Sequence, residues 1–131
     1  MKYLLDTAIF LWSVDAPQKL NPRARDILED REQEIFLSPV VSWEIIIKVA
    51  RGKLTLSRST SEILNLAFSR FGMQPLPVTH AHSLAIGALP PVHDDPFDRM
   101  LVAQAKTNGM VLMTADAALE QYPVETLWCG K

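Results

Sequence analysis

Four carboxylic acids stand at positions where desolvation of a carboxylate costs free energy, which suggests that they have a structural or functional role. Asp6 directly follows a short apolar run, Asp116 comes just past another, Glu44 lies in an apolar-rich segment, and Asp98 heads an apolar face. Carboxylates that are held close together repel one another and lose hydration. Such a cluster is typical of a site for a hard divalent cation, Mg²⁺ or Mn²⁺. Two such ions would activate water and stabilise the leaving oxygen of a phosphodiester.

Three of these acids also have a structural interpretation as helix-start residues. Asp6 and Asp116 can each cap the helix that follows, because Asp is a favoured N-cap. Asp98 can act as a first-turn acid behind an Asp95 cap, where it interacts favourably with the helix dipole. Capping explains an acid in the first turn, but it does not explain why Asp98 shares a face with Leu101. Both interpretations stay open for Asp6 and Asp116, whereas the position of Asp98 favours a functional role.

Glu44 belongs to a predicted helix that runs from residue 39 to near Gly52. At 100° per residue, Glu44, Lys48 and Arg51 share one narrow stripe of this helix. The apolar residues around the rest of its circumference include Trp43, Ile45, Ile46, Val49 and Ala50. A helix with so much apolar surface is expected to be mostly buried, with its polar stripe facing solvent or a cleft. The structural alternative is an exposed Glu44–Lys48 pair worth about 0.3–0.5 kcal/mol.

Strand-like and helical segments alternate along the chain, which favours a parallel sheet flanked by helices. The predicted strands are residues 2–5, 35–38, 110–113 and 124–128. The predicted helices are residues 7–15, 22–30, 39 to near 52, 60 or 61 to about 71, 80–88 and 96–108. Two prolines restrict residues 74–78 to an edge strand or to no strand. Sites in such sheets form beyond the carboxyl ends of the strands, which places Asp6, Asp98 and Asp116 at one edge.

Length and composition set the class of protein. The 131 residues predict one domain over residues 1–131, and 48% hydrophobic with 21% charged residues excludes a disordered chain. A net charge of −2 argues against a nucleic-acid binder held by charge alone. The single cysteine, Cys129, excludes a disulfide framework and a cysteine-based zinc site. Asp6 interrupts the first apolar run and no run reaches a membrane span, so we expect no signal peptide, no membrane contact and a cytoplasmic location.

Other chemistries at strand-end acids have less support. A phosphatase with a nucleophilic aspartate would need an acid where Ala8 stands, and a receiver domain would need an acid pair near Asp6. The chain has no phosphate-binding glycine motif and no Gly-x-Ser-x-Gly. His80 and His82 point to different helix faces, and a structural hydrogen bond is the favoured role for His93. Metal-dependent chemistry therefore remains the preferred hypothesis.

The segments YLLDT, SPVVSWEIIIKVARGKL, HDDPFDRMLVAQA and VLMTADAALEQYPVETLW occur in this order and span nearly the whole chain. In these segments the chain resembles PIN-domain ribonucleases, specifically the VapC-like toxins of bacterial and archaeal toxin–antitoxin pairs. The central HDDPFDR run is the most specific part. The resemblance implies a three-layer α/β/α PIN-like fold with a central, mainly parallel sheet. It also implies Mg²⁺ or Mn²⁺, a single-stranded RNA substrate, a water nucleophile and a 5′-phosphate product.

The resemblance assigns roles to particular residues. The metal-binding and catalytic acids correspond to Asp6, Glu44, Asp98 and Asp116. The supporting polar positions correspond to Thr7, Ser42 and Thr114. In the same site, Lys48, Arg51 and Arg99 are candidates for contacts with RNA phosphate, with solvated surface as the alternative. Some family members carry a further acid where this chain has Ala118, which leaves open whether one or two metal ions bind.

The resemblance also implies a homodimer and a cognate antitoxin as partners. The predicted helices 7–15 and 60–71 carry more large apolar residues than a core of this size easily buries, and surplus apolar surface marks an interface. We therefore expect a groove at these helices that accepts an apolar antitoxin segment; burial within one monomer is the alternative. For function, the alternative is a non-catalytic PIN-like binding module. The complete four-acid set argues against that alternative.

Overall fold

A computed structural model describes residues 1–131. Its five strands form one sheet in the spatial order β3-β2-β1-β4-β5. The strands are β1 (Lys2–Leu5), β2 (Glu34–Leu37), β3 (Gln74–Pro75), β4 (Val111–Thr114) and β5 (Thr126–Trp128). The helices are α1 (Thr7–Asp15), α2 (Pro22–Glu29), α3 (Pro39–Ala50), α4 (Thr60–Ser69), α5 (His80–Ile86) and α6 (Pro96–Asn108). Short 3₁₀ turns cover Pro17–Lys19 and Leu119–Gln121.

All four pairings between neighbouring strands are parallel. The chain moves from β1 to β2 and β3 on one side, and then returns to place β4 on the other side of β1. The order therefore reverses between β1 and β4, where Leu5 pairs with Met113. Helices on both faces complete a three-layer α/β/α arrangement, which confirms the predicted fold class. A crevice opens at such a reversal, beyond the carboxyl ends of the two strands.

Capping residues explain why the helix starts could be predicted from the sequence. A side-chain oxygen before each of the six α-helices accepts a hydrogen bond from a backbone N–H of the first turn; these residues are Asp6, Asn21, Ser38, Ser59, Thr79 and Asp95. Proline follows the cap in three of them, at Pro22, Pro39 and Pro96. Gly109 ends α6 in the left-handed conformation, with φ at 64°. Most other bounds differ from the predicted ones by one or two residues.

The edge of the sheet differs more from the sequence prediction. Only Gln74 and Pro75 pair as β3, because proline has no N–H to donate and Pro77 lies just beyond. The core lies between the central strands and the helices, and its largest fully buried side chains include Leu4, Phe10 and Leu112. The longest helix, α6, has 13 residues, and none of the helices has the length and apolar character needed to cross a bilayer.

The expectation that α3 is mostly buried is wrong. Trp43, Ile46 and Val49 are 59%, 55% and 41% exposed, respectively, and form an uncovered apolar face. Only one side of α3, which includes Ile45, packs into the core. The helices at 7–15 and 60–71 behave in a mixed way, because Ile9, Phe10 and Ile63 are buried while Phe68 and Phe71 are about 40% exposed. The surplus apolar surface is therefore spread over two regions of the molecule.

Candidate metal centre

The four acids singled out in the sequence line one pocket of about 360 Å³. Asp6 follows β1 and Asp116 follows β4, so the two neighbouring strands deliver them to the same edge of the sheet. Glu44 comes from the second turn of α3, and Asp98 comes from the first turn of α6. The pocket therefore lies at the reversal of strand order, where an α/β sheet places its ligands.

Asp6 is fixed by the start of α1. Its Oδ1 accepts a hydrogen bond from the Ile9 N–H at 2.9 Å, and its own N–H donates to the Met113 carbonyl at 3.1 Å. Burial raises the pKa of Asp6 to about 6, and hydrogen bonds from Thr114 and Ile9 oppose this shift. Asp6 can therefore both cap α1 and line the pocket, because one carboxylate oxygen suffices for the cap.

Glu44 is buried, and both of its carboxylate oxygens have partners. Thr7 Oγ1 donates to Oε1 at 2.6 Å, and Lys48 Nζ contacts Oε2 at 2.5 Å. The hydrogen bond to Glu44 is the main reason that the pKa of Lys48 is raised. The Glu44–Lys48 pair is therefore not the exposed surface pair considered as an alternative, since Glu44 is only 3% exposed.

Asp98 is partly buried and close to three other carboxylates. Burial and the negative charges of Asp95, Glu44 and Asp6 raise its pKa to about 7. His93 Nε2 lies 3.3 Å from Asp98 Oδ2 and favours the charged form of this carboxyl group. A carboxyl group this perturbed in a crevice is a candidate functional group.

Asp116 is the most exposed of the four acids. Its N–H donates to Thr114 Oγ1 at 3.0 Å, and its Oδ1 accepts from the Ala118 N–H at 3.0 Å. Thr114 is fully buried and contacts Asp6 as well, so it fixes the two strand-end acids relative to each other. The nearby Cys129 thiol has its pKa raised to about 12, chiefly by burial, and stays protonated at neutral pH.

The pocket has an excess of negative charge. Five carboxylates and two ammonium groups line it: Asp6, Glu44, Asp95, Asp98 and Asp116 against Lys48 and Lys53. Oxygen donors of this kind suit Mg²⁺ and Mn²⁺. Burial is the main cause of the raised pKa values of Asp6 and Asp98, and repulsion from neighbouring carboxylates adds to it. The donor set therefore fits a bound divalent cation.

Besides Thr114, which is buried behind the acids, three of the residues expected in the site do not line this pocket. Ser42 donates to the Pro39 carbonyl at 3.0 Å and faces an apolar cavity, because it is two residues, or about 200°, away from Glu44 on α3. Arg51 is exposed and lies seven residues beyond Glu44, about 10 Å further along the helix axis. Arg99 points away from Asp98 and donates to the Pro90 carbonyl at 3.0 Å and to Tyr122 Oη at 3.2 Å.

Two charged residues of the pocket were not expected there. Asp95 was interpreted only as a helix cap, yet it both caps α6 and lines the pocket. Its position three residues before Asp98 was the available signal, since both belong to the same helix start. Lys53 enters from the turn after α3, where Gly52 adopts a φ of 70°. No helical or strand periodicity reports on such a turn.

A family model for the PIN domain matches residues 3–125. The chain belongs to the PIN domain family. This match confirms the resemblance seen in the sequence, and PIN domains are nuclease domains that generally use divalent metals. No protein of curated function matches this PIN domain by sequence.

Solved structures share the fold of this PIN domain at low sequence identity. VapBC2 from Rickettsia felis, bound to a promoter DNA fragment, is 16% identical with a TM-score of 0.75, over 98% of this chain and 99% of that chain. FitAcB from Neisseria gonorrhoeae is 18% identical, with a TM-score of 0.64 over 96% of each chain. DNA-bound VapBC from Salmonella typhimurium is 17% identical, with a TM-score of 0.61 over 97% of each chain. These similarities support the fold across almost the full length.

Proposed function

We propose that this PIN domain is a metal-dependent endoribonuclease that cleaves single-stranded RNA, and that it is the toxin of a toxin–antitoxin pair acting in the cytoplasm. The observation that carries the proposal is the convergence of Asp6, Glu44, Asp98 and Asp116 in one pocket at the strand-order reversal. Family membership supports a nuclease. A domain that only held a partner would have no physical reason to concentrate these charges.

Mg²⁺ or Mn²⁺ would be held by the carboxylates of Asp6, Glu44, Asp98 and Asp116. When bound, the ion would supply positive charge for the phosphodiester and would lower the pKa of the attacking water. Thr7 holds one oxygen of Glu44 through its 2.6 Å hydrogen bond, which limits the orientations of that carboxylate. Thr114 does the same for the two strand-end acids through its contacts with Asp6 and the Asp116 N–H.

Lys48 and Lys53 are the cations best placed to contact RNA phosphate, since both line the pocket beside the acids. Lys48 balances the charge of Glu44 through their ion pair. An ammonium group can exchange one anionic partner for another without a change of fold. We propose that Lys48 and Lys53 replace Arg51 and Arg99 as the phosphate-contacting pair.

The toxin role requires an antitoxin, and a groove of about 300 Å³ between α1, α2 and the segment that follows α4 fits an apolar segment of such a partner. Its lining includes Val14, Leu28, Phe71 and Met73. The structurally similar VapBC and FitAcB proteins are solved as complexes, which supports a partner here by analogy. We propose that the separate apolar face of Trp43, Ile46 and Val49 forms the homodimer contact.

The test is RNA cleavage by the purified, partner-free chain. A panel of structured RNAs with single-stranded loops is incubated with Mn²⁺, with Mg²⁺ and with EDTA. We expect cleavage with a divalent ion, none with EDTA, and fragments with 5′-phosphate ends. Asp6→Asn should lower the cleavage rate by about 10²–10³-fold, in line with losing one group that stabilises transition-state charge.

Asp26→Asn is the matched control, because Asp26 is an exposed aspartate on α2 away from the pocket. It should cleave like the wild type. Cleavage that persists in EDTA, or in Asp6→Asn at the wild-type rate, would reject the metal-dependent nuclease. RNA or protein binding without any cleavage would support the binding-module alternative. Light scattering checks the dimer, since Trp43→Ser should halve the mass of the wild-type particle.

A further inference from the structure

The imidazole of His93 stands directly beside two of the proposed metal ligands. Its Nε2 is 3.3 Å from Asp98 Oδ2. Ligand atoms of His93, Asp98 and Asp116 all lie within 4.8 Å of one another. Two neighbouring ligands on an octahedral ion with bonds of about 2.1 Å are themselves about 3 Å apart. The spacing of Nε2 and Oδ2 is therefore close to that of two ligands of one ion.

The other ring nitrogen of His93 is held from behind. Nδ1 lies 2.8 Å from Tyr122 Oη, and Tyr122 is only 3% exposed. Arg99 donates to the same Oη at 3.2 Å and to the Pro90 carbonyl at 3.0 Å, so the phenol is fixed in place. Histidines that bind metals almost always engage their second nitrogen in this way, which fixes the ring orientation. Here the arrangement directs Nε2 toward Asp98. Asp98 lines the cavity that also contains Asp6, Glu44, Asp95 and Asp116, which we call the acid pocket.

We propose that His93 is a nitrogen ligand of the metal centre, together with Asp98 and Asp116, and that it makes the site selective for Mn²⁺ over Mg²⁺. This inference rests on the proposed metal-dependent function and adds a ligand outside the four acids. Imidazole nitrogen is a good ligand for first-row transition ions, whereas Mg²⁺ strongly prefers oxygen and retains its waters. Arg99 does not line the acid pocket, but it holds the Tyr122 phenol and thereby the orientation of the His93 ring.

A purely structural role for His93 makes a different prediction. In that case Nε2 carries the proton and donates to Asp98 Oδ2 at all times, so the ring positions a carboxylate but never reaches the ion. Both roles would lower activity when His93 is replaced. Only the ligand role places a histidine nitrogen on the metal and changes the preference between ions.

The experiment uses the full-length chain loaded with Mn²⁺. Pulsed electron paramagnetic resonance detects ¹⁴N bonded to Mn²⁺, and calorimetry gives the Kd for Mn²⁺ and for Mg²⁺. We expect a nitrogen signal in the wild type and its loss in His93→Gln. The same variant should weaken Mn²⁺ binding about ten-fold or more while leaving the Kd for Mg²⁺ nearly unchanged. Tyr122→Phe keeps the imidazole but frees it, and should weaken Mn²⁺ binding by a smaller factor.

His80→Gln is the matched control, because His80 is an exposed histidine at the start of α5. It should keep the nitrogen signal and both Kd values. Mn²⁺ bound without a nitrogen signal, or equal weakening of both ions in His93→Gln, would overturn the ligand role while leaving the nuclease proposal intact. A wild-type chain that binds neither ion and cleaves no RNA would overturn both. The wild-type spectrum is decisive even if a variant fails to fold.

Discussion

Helix α6 passes two polar clusters, and they differ in charge: one is built from neutral side chains and the other from carboxylates. Near its carboxyl end, His82 Nδ1 accepts from the Thr79 N–H at 3.0 Å and Nε2 lies 2.6 Å from Asn108 Oδ1. One neutral tautomer, with its proton on Nε2, makes both bonds. Gln104 joins this cluster by donating to the carbonyls of Leu76 and Pro77. No carboxylate takes part, and the chain itself supplies the partners of the His82 ring.

At the other end of α6, Asp98 faces Asp6, Glu44 and Asp95 across the acid pocket. Here the chain places five carboxylates around two ammonium groups. Buried polar groups that are complete within the chain stabilise a fold. Groups whose pKa values are shifted by burial and like charge are typical of sites. This contrast indicates a structural role for His82, although His82 is more buried than His93, which lies beside Asp98.

The largest expected effect is a loss of RNA cleavage when the acid pocket at the amino-terminal end of α6 is changed. Asp98→Asn should reduce RNA cleavage by about 10²–10³-fold, because it removes a ligand charge. Asp94→Asn is the matched control, since Asp94 is exposed and lies four residues before Asp98. Initial rates with saturating Mn²⁺ measure the difference. Similar losses in both variants would mean that the whole loop before α6, rather than the acid pocket, is what matters.

The acid pocket should also make the metal-free protein less stable as the pH rises. The folded pKa values of Asp6 and Asp98, about 6 and about 7, lie above the ordinary value of 3.8, so the folded state binds more protons than the unfolded chain between about pH 4 and 7. The free energy of unfolding falls across this interval and levels off above it. A shift of about two pKa units at Asp6 is worth about 3 kcal/mol.

Urea unfolding in EDTA from pH 4.5 to 8 measures this slope. Saturating Mn²⁺ should reverse its sign, since the ligands bind the ion only when they are deprotonated. A metal-free stability that rises with pH would contradict the assignment of these two carboxyl groups.

The His82 cluster should respond in stability and not in metal binding. His82→Ala removes two buried hydrogen bonds and is expected to lower the free energy of unfolding by about 2 kcal/mol. The increase in melting temperature caused by Mn²⁺ should persist, because no group of the acid pocket changes. Thermal melts with and without Mn²⁺ check both statements, and loss of the Mn²⁺ effect would show that the two ends of α6 are coupled.

A smaller effect of opposite sign is expected at Asp98. Asp98→Asn should raise the free energy of unfolding of the metal-free protein by about 1 kcal/mol at pH 8, because it relieves repulsion from the neighbouring acids. The gain should vanish at pH 5, where Asp98 is already protonated. Urea unfolding in EDTA at the two pH values tests this. Destabilisation at pH 8 would identify Asp98 as a helix-start acid only.

The smallest effects are expected where the sequence placed site residues that the structure moves elsewhere. Ser42→Ala and Arg51→Ala should change stability by no more than about 0.5 kcal/mol, as is usual for surface positions. Their cleavage rates should match the wild type. Lys48→Ala provides the contrast, because it removes the partner of Glu44 and should slow cleavage. A slow Arg51→Ala variant would restore the longer α3 stripe to the RNA-binding surface.

Local signals predicted most of the fold. The caps at Ser38 and Asp95, each followed by proline, located the first residues of α3 and α6, and alternation of strands and helices gave the parallel sheet. The strand order could not be predicted in this way, because hydrophobic periodicity does not say which strands are neighbours. The position of Asp6 beside Asp116 is therefore a property of the β1–β4 pairing and not of either strand alone.

The errors at the site have a similar origin. The helical stripe that contains Glu44 extends to Arg51, but a stripe defines an angle around the helix and not the length of a cleft along it. Arg99 is adjacent to Asp98 in sequence, yet a step of about 100° on α6 turns it toward Tyr122. The exposure of Trp43 was missed for a different reason, because an apolar residue carries no mark that distinguishes a core from an interface.

The pairing of β1 with β4 also determines when the acid-lined pocket can assemble during synthesis of the chain. Asp6 and Asp116 lie near opposite ends of the chain. The strands that carry them can meet only after β4 has been made. Domains fold as units while the chain grows from its amino terminus. A nascent chain that stops before β4 lacks one wall of the pocket, so an unfinished copy cannot bring Asp116 next to Asp6.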